Sequence, residues 1–265
     1  MILYTRGIPP KANYHTHTTW CDGKDSPEAV IEAAIGKGFA EIGFSSHAML
    51  PGDPLDWPLT KAKLSPYIED IGALKRKYAG KIRVFCAVEA DYIPRVCIPD
   101  SSVYPRGNGI DYIIGSVHFV VAPDGEWVFV DKSPESLVEG INGHFGGNVE
   151  AYVRAYFAAQ REMVRLYDFD VIGHPDLIRK FDGKLKYLDE RATWYVEELE
   201  KTADAFARSG KIVEINTGAI SRGWMDDAYP SSTFREMLRS RGMKMILSAD
   251  AHSASTIACA FDRPW

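Results

Sequence analysis

A chain of 265 residues, 46% hydrophobic and 25% charged, has the composition of a globular protein with enough apolar material for one large core. A formal net charge of −5 argues against a broad basic field for nucleic acid or anionic lipid, so neither is an expected partner. Four scattered cysteines, Cys21, Cys86, Cys97 and Cys259, form no C-x-x-C pair, which argues against a zinc knuckle or disulfide framework and fits a reducing cytoplasm.

The opening Met1–Pro10 does not read as a signal peptide, and no run of about 18 apolar residues predicts a membrane span. The first strand-like run is Ala12–Thr16. Ser26-Pro27-Glu28 then reads as an N-cap with proline in the first turn, opening a helix to about Lys37 before Gly38. Glu41–Ser45 predicts the second strand, followed by a helix near Lys61–Tyr78. Ile82–Glu89 and Tyr112–Val117 predict the third and fourth strands. Helices near Val149–Tyr167, Asp189–Ser209 and Ser231–Arg241 precede the strands Val171–Gly173, Ile212–Asn216 and Met245–Ser248.

Three long irregular stretches remain: His47–Leu59, Tyr92–Gly109 and Val121–Asn148. Loops of that length are expected to bind or to cover a site, and the third carries Trp127, Phe129 and Phe145. Strand and helix alternating about seven times predicts an α/β fold with a parallel sheet closed as a barrel. Residues 1–265 are expected to form one domain with an insertion around 120–148.

All the histidines except His144 fall at or just past the C-terminal end of a predicted strand. His15 and His17 end the first, His47 follows the second, His118 the fourth, His174 the fifth and His252 the last. Glu89 ends the third strand and Asp250 lies just past the seventh. The C-terminal ends of a parallel barrel share one face, so residues distant in sequence converge there. Alternation in a strand turns His15 and His17 to the same side. Imidazole and carboxylate together suit Zn, Fe or Mn. Asp22-Gly23, taken alone, reads as a turn.

The ordered set His15-Thr16-His17, Cys21-Asp22-Gly23, Ser45-Ser46-His47, Glu89, Gly115-Ser116-Val117-His118, Ile172-Gly173-His174-Pro175-Asp176 and Ser248-Ala249-Asp250-Ala251-His252 resembles the polymerase and histidinol phosphatase (PHP) superfamily. The likeness runs from about residue 12 to about 255. Within the superfamily the chain is most similar to the monofunctional histidinol-phosphate phosphatases. That likeness is carried by Phe44–Ala48, Gly115–Phe119, Trp127 and Asp131 in the insertion, Asp170–Phe181, Glu214–Gly218 and Arg222-Gly223.

The resemblance implies a distorted seven-stranded parallel (β/α)7 barrel holding three divalent metal ions. It assigns His15, His17, Glu89 and Asp250 to one ion. Glu89 bridges to a second held by His118 and His174, while Asp22, His47 and His252 hold the third. Glu89, Asp250 and His252 take the catalytic roles, and Arg161 and Arg222 are expected to bind phosphate through their guanidinium groups. Arg179 and Lys180 read instead as a solvated basic pair, Cys21 as a small packing residue, and His144 as loop packing. Asp176 is expected either to orient His174 or to cap the following helix. The sequence Pro51-Gly52-Asp53-Pro54 lengthens the loop after His47.

Three divalent ions against the three carboxylates Asp22, Glu89 and Asp250 leave a surplus of about three positive charges. A phosphate dianion and one hydroxide match it. The expected reaction is in-line hydrolysis of a small phosphomonoester, with L-histidinol phosphate the substrate implied by the resemblance. A nucleotide or another small phosphomonoester is the alternative. Nuclease activity and a purely structural metal site are further readings. The first is opposed by the acidic balance, the second by the completeness of the ligand set.

Overall fold

The computed structural model describes residues 11–50 and 58–265, so Met1–Pro10 and the Pro51–Pro54 loop fall outside the described residues. Apolar runs fold as strands that are buried along their length, as expected for a parallel sheet covered by helices. The strands are β1 (Ala12–Asn13), β2 (Glu41–His47), β3 (Arg83–Asp91), β4 (Tyr112–Ser116), β5 (Phe119–Val121), β6 (Trp127–Phe129), β7 (Val171–Ile172), β8 (Ile212–Asn216) and β9 (Met245–Ser248). The helices are α1 (Pro27–Gly36), α2 (Lys61–Lys77), α3 (Pro134–Phe145), α4 (Val149–Leu166), α5 (Asp182–Leu185), α6 (Thr193–Ser209), α7 (Gly218–Ser221) and α8 (Ser232–Ser240).

Seven strands form one parallel sheet in the order β1-β2-β3-β4-β7-β8-β9. A parallel bridge between Thr16 and Ala251, with the His17 amide donating to the Ala251 carbonyl at 2.8 Å, draws the two edges together and nearly closes the barrel. This is the distorted seven-stranded barrel expected. β1 is shorter than Ala12–Thr16 because side chains take over its ladder. The His15 amide donates to Asn13 Oδ1 at 3.2 Å and the Thr16 amide to Ser45 Oγ at 3.1 Å.

Local signals set the helix ends. Ser26 Oγ accepts from the Ala29 amide and Thr60 Oγ1 from the Lys63 amide, each at 3.3 Å. Lys75, Arg76 and Lys77 lie in the last turn of α2, against the negative end of its dipole. The helix expected from Asp189 starts at Thr193 instead, because Asp189 turns the chain and its carboxylate accepts from the Arg191 amide.

The irregular lid expected over Val121–Asn148 is a correction. Its start belongs to a hairpin, Val121 opposite Trp127, and residues 134–145 are the helix α3. Ser133 caps that helix by accepting from the Ser136 amide, and Gly146 ends it with φ 59°.

The barrel interior is graded. Phe85, Ala87, Tyr112, Ile114, Val171 and Ile246 pack together at the strands' N-terminal portions. Farther along the same faces of β3 and β4 come Glu89, Asp91 and Ser116, so an apolar plug gives way to polar side chains at the C-terminal end. Among the described residues no helix is long and apolar enough to cross a membrane.

Candidate metal centre

Strand register brings the candidate ligands side by side. His47 is the register partner of Glu89, and Glu89 that of Ile114, two residues before Ser116. Ser116 Oγ donates to Glu89 Oε1 at 2.7 Å. His15 and His17, projected to the same side, have ring centroids 5.1 Å apart. His17 stacks on His252 at 4.2 Å. All nine candidate ligands converge.

Glu89 stands at the centre and is buried. Its Oε1 faces His174 Nε2 at 2.9 Å and His118 Nε2 at 3.6 Å. Its Oε2 faces His15 Nε2 at 3.1 Å, His47 Nδ1 at 3.1 Å and His17 Nε2 at 3.4 Å. Asp250 Oδ1 lies 3.3 Å from His17 Nε2 and 3.8 Å from His15 Nε2. Asp22 Oδ2 lies 3.1 Å from His252 Nε2, and its Oδ1 lies 3.8 Å from His47 Nε2.

The donor set fits metal ions. Three groups offer ligand atoms that all lie within 4.8 Å of one another: His17, Asp22, His47 and His252; His15, His17 and Asp250; and His47, Glu89 and His118. His15 Nε2, His17 Nε2 and Glu89 Oε2 are buried without a hydrogen bond, which is costly unless a cation satisfies them.

Carboxylates and imidazoles in the cluster shift one another in both directions. Burial opposes charge on His118, but Asp91 and Glu89 outweigh it and raise the imidazole to about 10. Burial would push Glu89 up, but His15, His47 and His118 hold it well below the usual carboxylate range. Burial, with the charges of His252 and His47, lowers His17 to about 3, so it is neutral and ready to ligate.

Three outer nitrogens have their own acceptors. Asp91 Oδ1 sits 2.8 Å from His118 Nδ1, Glu214 Oε2 sits 2.9 Å from His15 Nδ1, and the Asp250 carbonyl sits 3.0 Å from His252 Nδ1. Carboxylates and carbonyls that orient ligand imidazoles in this way fix the tautomer that leaves the inner nitrogen free. Asp91 and Glu214 contact candidate ligand imidazoles and have no role assigned from the sequence. Their signal is, for Asp91, a charge two residues beyond Glu89 and so on the same face of an extended strand, and for Glu214 a charge inside the apolar run Ile212–Asn216.

Arg222, directly after α7, joins the cluster. Its Nη2 donates to Asp250 Oδ2 at 2.8 Å and its Nη1 to the Asp250 carbonyl at 3.2 Å, 3.2 Å from His252 Nδ1. Arg161 does not. It belongs to the outer helical layer, where Nη1 donates to Glu198 Oε2 at 2.8 Å and Thr202 Oγ1 at 3.0 Å of α6, so its guanidinium is spent on helix packing.

Arg179 and Lys180 are buried rather than solvated. Arg179 meets Glu190 and Asp227, and Lys180 Nζ donates to Asp131 Oδ2 at 2.9 Å. Asp176 neither touches His174 nor caps a helix with its side chain; its Oδ2 accepts from the Ser231 amide at 2.7 Å. Cys21 Sγ lies 3.4 Å from His17 Nδ1, with burial pushing the thiol up to about 11. His144 lies on α3, paired with Asp124 at 2.8 Å.

The family model described as PHP domain matches residues 13–218. The chain belongs to the PHP domain family. The match takes in His15, His17, Asp22, His47, Glu89, His118 and His174, while Asp250 and His252 lie past it and join the PHP residues through the barrel closure.

A relative from Schizosaccharomyces pombe, provisionally named a histidinol-phosphatase, is 28% identical over 92% of this chain and 81% of its own length. The Bacillus subtilis protein named histidinol-phosphatase is 25% identical over 95% of this PHP chain and 97% of its own. Among solved structures, a Listeria monocytogenes protein provisionally named a histidinol phosphatase aligns with TM-score 0.85 at 21% identity, over 95% of this chain and 99% of that one. Histidinol phosphate phosphatase from Lactococcus lactis, described as complexed with Zn, L-histidinol and phosphate, aligns with TM-score 0.67 at 21% identity, over 92% and 87%. The two structures share the barrel described above.

Proposed function

We propose that this PHP protein is a phosphoric monoester hydrolase that converts L-histidinol phosphate to L-histidinol and phosphate, using divalent ions held at the barrel's C-terminal face. The observation that carries the reading is Glu89: a buried carboxylate with one oxygen turned to His118 and His174 and the other to His15 and His17. The substrate assignment is supported by the near full-length likeness to relatives named histidinol-phosphatase.

His15, His17, Glu89 and Asp250 would hold one ion, Glu89, His118 and His174 a second, and Asp22, His47 and His252 a third. His47 suits its place, since Nε2 faces Asp22 while Nδ1 faces the Glu89 side. Imidazole and carboxylate donors accept Zn, Fe or Mn, and the Lactococcus lactis protein is described as complexed with Zn. When bound, the ions activate water at neutral pH and neutralise the phosphoryl oxygens.

The chain supplies the rest. Arg222 presents a guanidinium beside Asp250 and His252, where it would take a phosphoryl oxygen and fix its orientation. Glu89 and Asp250 stay ionised under the field around them, and His252 stands at the more open edge, where the leaving alcohol would depart.

The test is phosphate release from histidinol phosphate, a nucleoside monophosphate and an aryl phosphate after loading with Zn or Mn. The expected outcome is a kcat/KM for histidinol phosphate higher by about 10²-fold or more, the discrimination available when a site pairs a substrate's polar groups. Equal, slow release from all three would reject the substrate and leave a PHP phosphatase of broad range.

A further inference from the structure

We infer that Glu214 is a positioning residue that couples the metal ligands to the arginine arm. The coupling to Arg222 rests on the function proposed above; the metal part does not. Glu214 lies on β8, fully buried, between Val213 and Ile215. A carboxylate in such a place is tolerated only where donors surround it, and Glu214 has three. Oε2 faces His15 Nδ1 at 2.9 Å. Oε1 accepts from the His174 amide at 2.6 Å and from Asn216 Nδ2 at 2.8 Å.

Each donor belongs to a different functional piece. With its Nδ1 proton given to Glu214, His15 keeps the Nε2 lone pair directed at Glu89 and Asp250. Holding the His174 amide fixes the backbone from which that imidazole reaches Glu89. The third donor leads away from the metals. Asn216, with its amide nitrogen spent on Glu214, turns its Oδ1 to accept from the Gly218 amide at 2.8 Å, at the opening of α7.

Arg222 follows directly after α7 and binds Asp250. The packing there is tight: a methyl group on Gly218 would sit 2.6 Å from Arg222 Nη2, 2.8 Å from Asp250 Oδ2 and 2.9 Å from Asn216 Oδ1. A shift of Glu214 therefore reaches both the metal-facing histidines and the start of the segment that carries the guanidinium.

The experiment compares Glu214→Gln and Asn216→Ala with wild type. Glu214→Gln keeps the shape but places a donor or a weaker acceptor against His15 and His174. Its affinity for Zn, read by chelator competition without substrate, is expected to fall about 10- to 100-fold. Asn216→Ala leaves the histidine contacts in place, so Zn affinity is expected to stay at the wild-type level while KM for the phosphomonoester rises more than kcat falls.

Wild-type Zn affinity in a folded Glu214→Gln protein would overturn the metal part, and a wild-type KM in Asn216→Ala would overturn the coupling to Arg222. If Glu214→Gln does not fold, Glu214→Asp replaces it in the Zn titration with the same two outcomes. A fall in urea midpoint with Zn affinity and KM both unchanged would reduce Glu214 to a structural role and reject the inference. If wild type hydrolyses no phosphomonoester, the functional reading fails, and the Zn titration still decides the role of Glu214.

Discussion

Asp250 adopts φ 47°, in the left-handed region that aspartate tolerates better than most side chains. That turn, two residues past β9, aims its carboxylate back at His15 and His17 while Arg222 holds the other oxygen. Asp250→Ala removes the acceptor for Arg222 Nη2 and the carboxylate facing His15 and His17, and leaves alanine in a conformation costing about 1 kcal/mol. His118→Ala removes a ligand on the far side of Glu89. Both variants are expected to lose turnover and bound metal, measured by phosphate release and elemental analysis. Wild-type metal stoichiometry in both would reject the ligand set. Arg222→Ala should keep its metal and lose affinity for the anion instead. Losing one charge-assisted hydrogen bond of about 2 kcal/mol predicts a kcat/KM lower by roughly 30-fold, mostly through KM. Metal loss from Arg222→Ala would mean that the arginine serves Asp250 rather than phosphate.

At the scale of elements, much was legible because strand ends and ligands coincide. Every strand-like run except Ile212–Asn216 carries a His, Glu or Asp at or just past its C-terminal end, and parallel topology converts such ends into one face. Less legible were elements too short to show a period. β5 and β6 are three residues each, so hydrophobic alternation could not separate them from loop. The start of α3 was readable, since Ser133-Pro134-Glu135 repeats the Ser26-Pro27-Glu28 cap signal, but the glycines at 140, 143, 146 and 147 concealed the helix. Arg161 failed for another reason: its place on a helix gave no face, and Glu198, across in α6, claims the guanidinium. Close strand approach makes a test. A methyl on Gly173 would meet Ser116 Oγ at 2.3 Å, the hydroxyl that donates to Glu89. Gly173→Ala is therefore expected to lower stability by about 1–3 kcal/mol in urea titration and to disturb metal binding. A second test concerns the turn between α4 and β7. Hydrogen bonds from Arg106 and then Ser101 lower Asp168 to about 2. A depressed carboxyl contributes stability above the unfolded value of about 4 that is lost as pH falls toward 2. Because the group is well exposed, wild type should exceed Asp168→Asn by under about 1 kcal/mol at pH 7, with the gap closing between about pH 4 and pH 2. A gap independent of pH would show that the ion pair is not its source.

Across the whole molecule, the ligands come from the ends of nearly every barrel strand, whereas the apolar plug of Phe85, Tyr112, Ile114 and Val171 closes the opposite end. The two ends should therefore respond differently to a chelator. Removing the ions leaves buried imidazoles and carboxylates to satisfy one another, but it does not touch the plug or the helical layer around the sheet. Secondary structure at 25 °C is expected to persist, and the melting temperature to fall. A site occupied at about 100 times its Kd contributes about 2.7 kcal/mol. For a chain of this size each kcal/mol moves Tm by about 2–4 °C. Chelation should thus lower Tm by roughly 5–10 °C for each site emptied, and Zn or Mn should restore it, followed by differential scanning fluorimetry. Glu89 faces ligands of two of the three proposed ions, so Glu89→Gln should show a chelator shift cut to about the share of the one site that does not use it. A chelator shift in Glu89→Gln equal to that of wild type would place the stabilising ions somewhere other than around Glu89.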